Sequence, residues 1–405
     1  MPWRSPMSAR EAMILDVNEG MEVAAAAERH GVSRSCAYKW IRRYEKLGAA
    51  GLSELSRRPE WSPKRTPQSV VDALLELKKK YPRFGPAKLV AMLEAGQGSA
   101  VMAVSTAGEI LSRHGQVQKR RPRHKSAGRI ERGPYEVAGA GDSMTTDYKG
   151  QFRMGNGALC YPLTIADPFS RYVFAIEAMS STQMEPAKAV FERVFREHGI
   201  PRQMISDNGS PFCSSTSLGG LTQLSRWWIE LGIVPVRIEP GRPQQNGIHE
   251  RMHRTLKDWI RDHIQSNLRA HQRSFDAFRE EFNQVRPHQS LGQKTPSTAV
   301  REYRPFASRP ETLEYDTNMD VRKVNANGEI KWSGTPIFLS EPLIGANVGL
   351  LKVGQDLWSV YLGTVRLGYL DGIKKKALNR RPPEHEDPNP DPSSADPSKK
   401  PGYGI

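Results

Sequence analysis

Three short segments of the 405-residue chain each carry one carboxylate suited to chemistry: Thr145–Gly150 (TTDYKG) with Asp147, Ile205–Phe212 (ISDNGSPF) with Asp207, and Gln245–Arg254 (QNGIHERMHR) with Glu250. Singly these acids have ordinary readings, as a strand-end acid, a turn residue before Asn-Gly and a solvated helix face. Brought together they repel, and hard divalent cations relieve that repulsion while leaving coordination positions open for a phosphate. A pair of Mg²⁺ ions about 3.5–4 Å apart, with Mn²⁺ as a substitute, would activate the attacking oxygen of a phosphodiester reaction and stabilise the leaving one.

Positioning these acids requires a sheet with a helix beside it. Ser143–Tyr148, Leu159–Ala166 and Arg171–Glu177 are short β-rich runs that read as a three-stranded meander. A helix over 181–198 ending at Gly199, a strand Gln203–Ser206, a helix over 221–231 and a strand Val234–Ile238 follow. The proline-free stretch Gln244–Gln265 predicts a long helix carrying Glu250, and Arg286–Pro296 (RPHQSLGQKTP) is turn-rich. Trp227 and Trp228 share helical spacing with Leu224 and Leu231, so at least one belongs to the core. Asp167 sits in an Asp-Pro-Phe-Ser turn and is left out of the site.

The N-terminal part is helical and basic. Ser8 with Glu11 has capping-box spacing, helices follow over 8–19 and 21–30, and Ser33 caps a third that runs from Arg34 to Leu47 and stops at Gly48. The short connection His30–Ser33 gives helix-turn-helix spacing. On the third helix Ala37, Trp40, Ile41 and Tyr44 turn inward and leave Arg34, Ser35, Tyr38, Lys39, Arg42 and Arg43 outward for a DNA groove. Residues 66–118 repeat this architecture, with helices starting at Pro67, Pro86 and a Ser105 cap. Lys119–Lys125 (KRRPRHK), including Lys119, Arg120, Arg121 and Arg123, should lie along phosphates.

Charge supports a polyanionic partner. The chain holds 59 Lys and Arg against 44 Asp and Glu, a net +15, and residues 1–134 contribute 25 basic and 13 acidic side chains to that balance. Cys36, Cys160 and Cys213 form no CxxC pair, which argues against a disulfide framework or a cysteine zinc site. No apolar run approaches the roughly 18 residues of a membrane span, and Met1–Arg10 lacks a secretory core. A cytoplasmic, nucleoid-associated protein is expected.

The segments SDNGSPF and RPQQNGIHERMHRTLK, with helix-turn-helix units before them and RPH…TP after, resemble insertion-sequence transposases of the DDE class, whose cores are related to retroviral integrases. The resemblance covers roughly residues 8–370. It implies an RNase H-like core with Asp147, Asp207 and Glu250 as metal-binding catalytic residues, and Asn208 and Gly209 shaping the turn after the second acid. Lys257, two helical turns beyond Glu250, matches the family's DNA-holding cation, with Arg254 a weaker candidate. It also implies binding of terminal inverted repeats and target DNA, Mg²⁺-dependent cleavage and strand transfer, and a homo-oligomer on paired DNA ends.

The 43 positions from Asp207 to Glu250 exceed the commonest integrase spacing, and a surface loop over Cys213–Gln223 is the expected place for the excess. Two other readings remain. His249–His253 matches H-E-x-x-H, the zinc-protease pattern, but a glycine lies two residues before it and no third ligand is evident. The other is a domesticated DNA-binding regulator without catalysis.

The expected architecture is multidomain: N-terminal all-α helix-turn-helix modules, a central α/β RNase H-like mixed sheet with flanking helices, and a small C-terminal β-barrel. Its parts are a first helix-turn-helix domain (1–55), a linker (56–65), a second such domain (66–118), a basic linker (119–134), the catalytic core (135–306), the barrel (307–377) and a disordered tail (378–405). The barrel follows from the alternation around Asn327-Gly328, Ser333-Gly334 and Gly363, with Trp332, Leu339, Val348, Leu350, Trp358, Val360 and Leu367 as candidate core.

Overall fold

The structure is a computed structural model that describes residues 7–54, 65–97, 101–117, 139–239, 247–307 and 312–382. The linker over 56–64, the basic run with Lys119, Arg120, Arg121 and Arg123, and the tail beyond 382 lie outside the described residues. The chain divides into two compact units, Met1–Ser69 and Val70–Ile405.

In the first unit, α1 (Met7–Asn18), α2 (Val23–Arg29) and α3 (Arg34–Leu47) enclose Met13, Ile14, Ala26, Ala27, Ala37, Trp40 and Leu52. Ser33 Oγ accepts the Cys36 amide proton at 3.3 Å, which caps α3, and Gly48 ends it at φ 62°, a left-handed value that favours glycine. The first helix differs from expectation. It begins at Met7, so Ser8 lies inside the first turn and is not its cap.

The second unit starts with α4 (Gln68–Lys80), α5 (Pro86–Gln97) and α6 (Val104–Arg113), packed around Leu74, Phe84, Leu89, Val90, Ile110 and Leu111. Ser105 falls within α6, whose flanking residue is Ala103. The sheet that follows contains β1 (Ser143–Tyr148), β2 (Phe152–Arg153), β3 (Leu159–Ala166), β4 (Val173–Met179), β5 (Gln203–Ser206) and β6 (Val234–Arg237). Antiparallel β4, β3 and β1 continue into parallel β5 and β6, with β2 beside the start of β3.

Helices cover both faces of this mixed sheet. On one, α7 (Met184–His198) and α8 (Gln223–Glu230) bury Phe191, Phe195 and Trp228 against Met144, Leu163, Ile165 and Phe174. On the other, α9 (Gly247–Asp262) and α10 (Leu268–Glu280) bury Met252, Leu256, Ile260, Phe275 and Phe278 against Cys160, Ala166, Val173 and Ile176. Alternation along each strand, with period two, decides which side chains face which layer.

The C-terminal strands do not close into the expected barrel. β7 (Asp320–Lys323), β10 (Asn347–Gly354), β11 (Leu357–Leu362), β12 (Val365–Asp371) and β13 (Lys376–Leu378) form an open antiparallel sheet in the order β13-β12-β11-β10-β7. Closure would need β7 to pair with β13. The separate hairpin of β8 (Glu329–Trp332) and β9 (Thr335–Phe338) instead supplies Ile330 and Ile337 to the sheet's apolar core, beside Leu218 and Leu221 from the central region. Cys213–Gln223 is therefore more than a surface loop, because Leu218 and Leu221 are buried among Val348, Leu350, Val360 and Leu367. Among the described residues no helix is long and apolar enough to cross a membrane.

Candidate active site

Strand alternation points Met144 and Tyr148 of β1 into the α7–α8 layer and Thr145, Asp147 and Lys149 toward α9. The parallel pairing of β1 with β5 has Thr145 opposite Ile205. Asp147 and Asp207 each follow two residues after that last paired position, Asp147 still within β1 and Asp207 just past the end of β5. Asp207 is held by its own turn: its Oδ1 accepts the Gly209 amide proton at 3.1 Å, and Asn208 Nδ2 donates to Ile238 O at 2.8 Å. A Cβ at Gly209 would stand 3.1 Å from Asp207 Oδ2, so glycine leaves room for the carboxylate to fold back.

Glu250 lies in the first turn of α9, where the helix dipole favours an acid, and it is exposed. Arg254 and Lys257 follow at one and two turns, also exposed. Asp147 feels the other two acids. Burial, reinforced by the negative charges of Asp207 and Glu250, pushes the Asp147 carboxyl up to about 7. Burial and the neighbouring Lys257 hold the Lys149 ammonium below its usual range, while Asp147 opposes that shift. Lys149 and Lys257 thus form a cationic flank beside the acids.

Beneath the acids runs a buried polar seam. Thr164 of β3 donates its single hydroxyl proton to Asp147 O at 2.8 Å, and the same oxygen lies 2.6 Å from His249 Nε2 and 2.8 Å from His253 Nε2. With that proton committed, both imidazoles act as Nε2–H donors to Thr164. Thr145 Oγ1 meets the other nitrogen of His249 at 2.8 Å. Burial depresses both histidines, His249 to about 3, so they are neutral. These contacts clamp α9, and with it Glu250, onto β1 and β3.

The carboxylates of the acid trio do not all close to within 4.8 Å of one another; among the described residues the set that does is Asp147, His249 and His253. The zinc-protease alternative gains nothing from that set, since threonine hydroxyls engage both nitrogens of His249 and Glu250 is exposed outside the set.

On α3, Arg34, Ser35, Tyr38, Lys39 and Arg42 are exposed as expected, but Arg43 is not. Its guanidinium donates to Ser53 O at 2.6 Å and lies 4.6 Å over the Trp40 ring, because the chain after Gly48 folds back across that side of the helix. Sequence reasoning assigned no role to His249, His253, Thr145, Thr164 or Lys149. Lys149 and Thr145 were detectable, standing two positions either side of Asp147 on the same strand face. Thr164 was not, since only the β1–β3 register brings it to Asp147.

Four domain models match the chain. Two Integrase core domain models match residues 138–243 and 231–296, a Helix-turn-helix domain model matches 9–60 and a Homeodomain-like domain model matches 36–111. An insertion element IS407 protein of 31.7 kDa from Burkholderia multivorans is 25% identical over 266 residues, 65% of this chain and 92% of that one. The chain carries an integrase core behind helix-turn-helix domains and is similar to insertion-element proteins. A second such relative, an IS476 protein of 39.2 kDa from Xanthomonas euvesicatoria, is 23% identical over 290 residues, 70% of this chain and 80% of that one. Among solved structures, the HTLV-2 integrase catalytic core domain in complex with magnesium aligns at 14% identity and TM-score 0.33, over 41% of this chain and all of that one. Its integrase core marks the protein as a polynucleotidyl transferase, and the matched residues span the strands and helix that carry all three acids.

Proposed function

We propose that this transposase binds the terminal inverted repeats of its own element through its N-terminal helical units, then cuts and joins DNA with a divalent metal held by Asp147, Asp207 and Glu250. The observation that supports this reading is that the negative charges of Asp207 and Glu250 both act on Asp147, which with Asp207 follows the paired ends of neighbouring parallel strands. A set of oxygen donors that repel one another suits a hard cation. Glu250, exposed on a side chain with three rotatable bonds, completes the set by rotation.

When bound, two Mg²⁺ ions, or Mn²⁺ in their place, would supply Lewis-acid stabilisation and a nucleophilic oxygen at neutral pH. The chain's own residues do the rest. Lys149 and Lys257 hold the scissile phosphate against the acids, and the Thr164–His249–His253 seam keeps strand and helix at fixed spacing. Water attacks the phosphodiester at the element end, forming one P–O bond and releasing the 3′-hydroxyl. That hydroxyl then attacks target DNA in line. Exposed Arg34, Ser35, Tyr38, Lys39 and Arg42 meet the DNA groove, with Lys119, Arg120, Arg121, Arg123 and Arg254 along phosphates. Pairing two ends calls for at least two protomers, and the work belongs in the cytoplasm, at the nucleoid.

A strand-transfer assay with Asp207→Asn tests the proposal. The variant should bind element ends like the wild type and join none. Unaltered joining would overturn the assignment, and a wild type that binds ends without ever joining them would mark a non-catalytic regulator.

A further inference from the structure

Helix α9 has two working flanks. At 100° per residue, Glu250, Arg254 and Lys257 lie to one side of the buried seam of His249, His253, Leu256 and Ile260, while Ile248, Arg251 and Thr255 lie to the other. On that second flank is a cavity of 380 Å³, bounded by α9, the β3–β4 turn, α5 and the RPHQ segment after α10. Lys88, Arg171, Arg251 and Arg286 all line it, with Asp167 as the lining carboxylate.

These cations gather at one cavity and are only partly offset: Asp167 attracts Arg171 and Glu281 attracts Arg286, while Lys88 donates to Pro287 O and Arg171 to Pro168 O. Burial and the like charge of Arg286 hold Lys88 down to about 8, and burial with the charge of Arg251 depresses Arg171. Asp167 Oδ1 accepts the amide protons of Phe169 and Ser170, while its Oδ2 is buried without a hydrogen-bond partner. Glu281 sits near Arg286. Arg251 is exposed and makes no ion pair among the described residues. Nε2 of His288, which also lines the cavity, is buried without a hydrogen-bond partner. Cations converging on one cavity suit an anion with several acceptor oxygens.

We propose that this cavity is a phosphate site that takes a phosphodiester group of DNA on the flank of α9 opposite the carboxylates. The RPH segment then has a task beyond turning the chain, since it places Arg286 and His288 at the phosphate. Exposed Gln289, Ser290 and Arg251 line the cavity and face solvent, so a phosphate projecting from a duplex can enter. The DNA occupant rests on the reading that this chain handles DNA; the anion chemistry of the cavity does not.

The test is fluorescence-anisotropy binding of element-end duplex by the full chain over a range of NaCl, comparing wild type, Arg251→Ala, Arg251→Lys and Lys88→Gln. Loss of one phosphate contact should weaken binding several-fold and lower the slope of log K against log salt by about 1. Arg251→Lys should restore most of it, and Arg251→Ala plus Lys88→Gln should lower the slope no further than one contact. Unchanged affinity and slope in Arg251→Ala would overturn the site while leaving the DNA reading intact. A wild type without duplex affinity would overturn both. Thermal stabilisation by millimolar inorganic phosphate that depends on Arg251, with duplex binding unchanged, would assign the cavity to a free anion and overturn the DNA occupant.

Discussion

Nδ1 of His253 stands 3.6 Å from Oδ2 of Asp147, while Nε2 of the same ring reaches the threonine hydroxyl that holds the Asp147 carbonyl. With Nε2 protonated, the neutral ring turns a lone pair toward a carboxylate. That meeting is tolerable when Asp147 carries a proton or a cation stands beside it, and it agrees with the raised acidity range of Asp147.

This has a pH consequence for the metal-free protein. The folded Asp147 carboxyl keeps its proton up to about pH 7, whereas the unfolded one releases it near 3.8. The native state therefore binds more protons across that window. Its stabilising contribution is fully present below about pH 4 and is lost as pH rises through 7, on the order of a few kcal/mol. In EDTA, Asp147→Asn should raise the urea midpoint relative to wild type at pH 8 and not at pH 4; an equal offset at both would contradict this.

Thr164→Val removes the hydroxyl shared by His249, His253 and Asp147 O. Two buried imidazole N–H groups then lose their acceptor, at a cost of roughly 1–3 kcal/mol in denaturant unfolding. Strand transfer should fall as well, because the α9 clamp loosens. A variant as stable and active as wild type would show the seam to be dispensable.

Neighbouring arginines on α3 should behave oppositely. Arg42→Ala should leave the unfolding transition in place and lower the salt slope of DNA binding by about 1. Arg43→Ala should lose roughly 1–2 kcal/mol of stability with its Ser53 bond and its Trp40 contact. Circular-dichroism melts alongside binding titrations separate the two, and a reversed pattern would reject the inward placement of Arg43.

Leu218→Ala opens a gap between the central region and the C-terminal sheet, with an expected loss of roughly 2–5 kcal/mol. Hydrogen exchange should quicken in β12, which packs on that segment. Unchanged exchange there would restore Cys213–Gln223 to the standing of a surface loop.

Much of this was legible in the sequence for local reasons. β1 and β3 are short β-rich runs and β5 a short segment between a helix-ending glycine and an Asp-Asn-Gly turn, so their places follow from local composition, and Ser33 with Gly48 brackets α3 by capping chemistry. What escaped depended on distant partners. Arg43 and Arg42 are equivalent on a helical wheel until the segment after Gly48 folds back. The C-terminal alternation identifies strands but not closure, because pairing of β7 with β13 is a tertiary choice that the β8–β9 hairpin pre-empts. α10 was missed beside the turn-rich RPH segment that follows it. At the site, the three acids were found from type and setting, whereas Thr164 and His253 matter only through the β1–β3 register.

Diffraction from crystals of the full chain soaked in Mn²⁺, with anomalous maps recorded at the manganese edge, tests the central claim most directly. The account predicts manganese bound by oxygens of both Asp147 and Asp207, with Glu250 turned in to join them. Manganese held by His249 and His253 without Asp207, or no anomalous peak at millimolar metal, would contradict it.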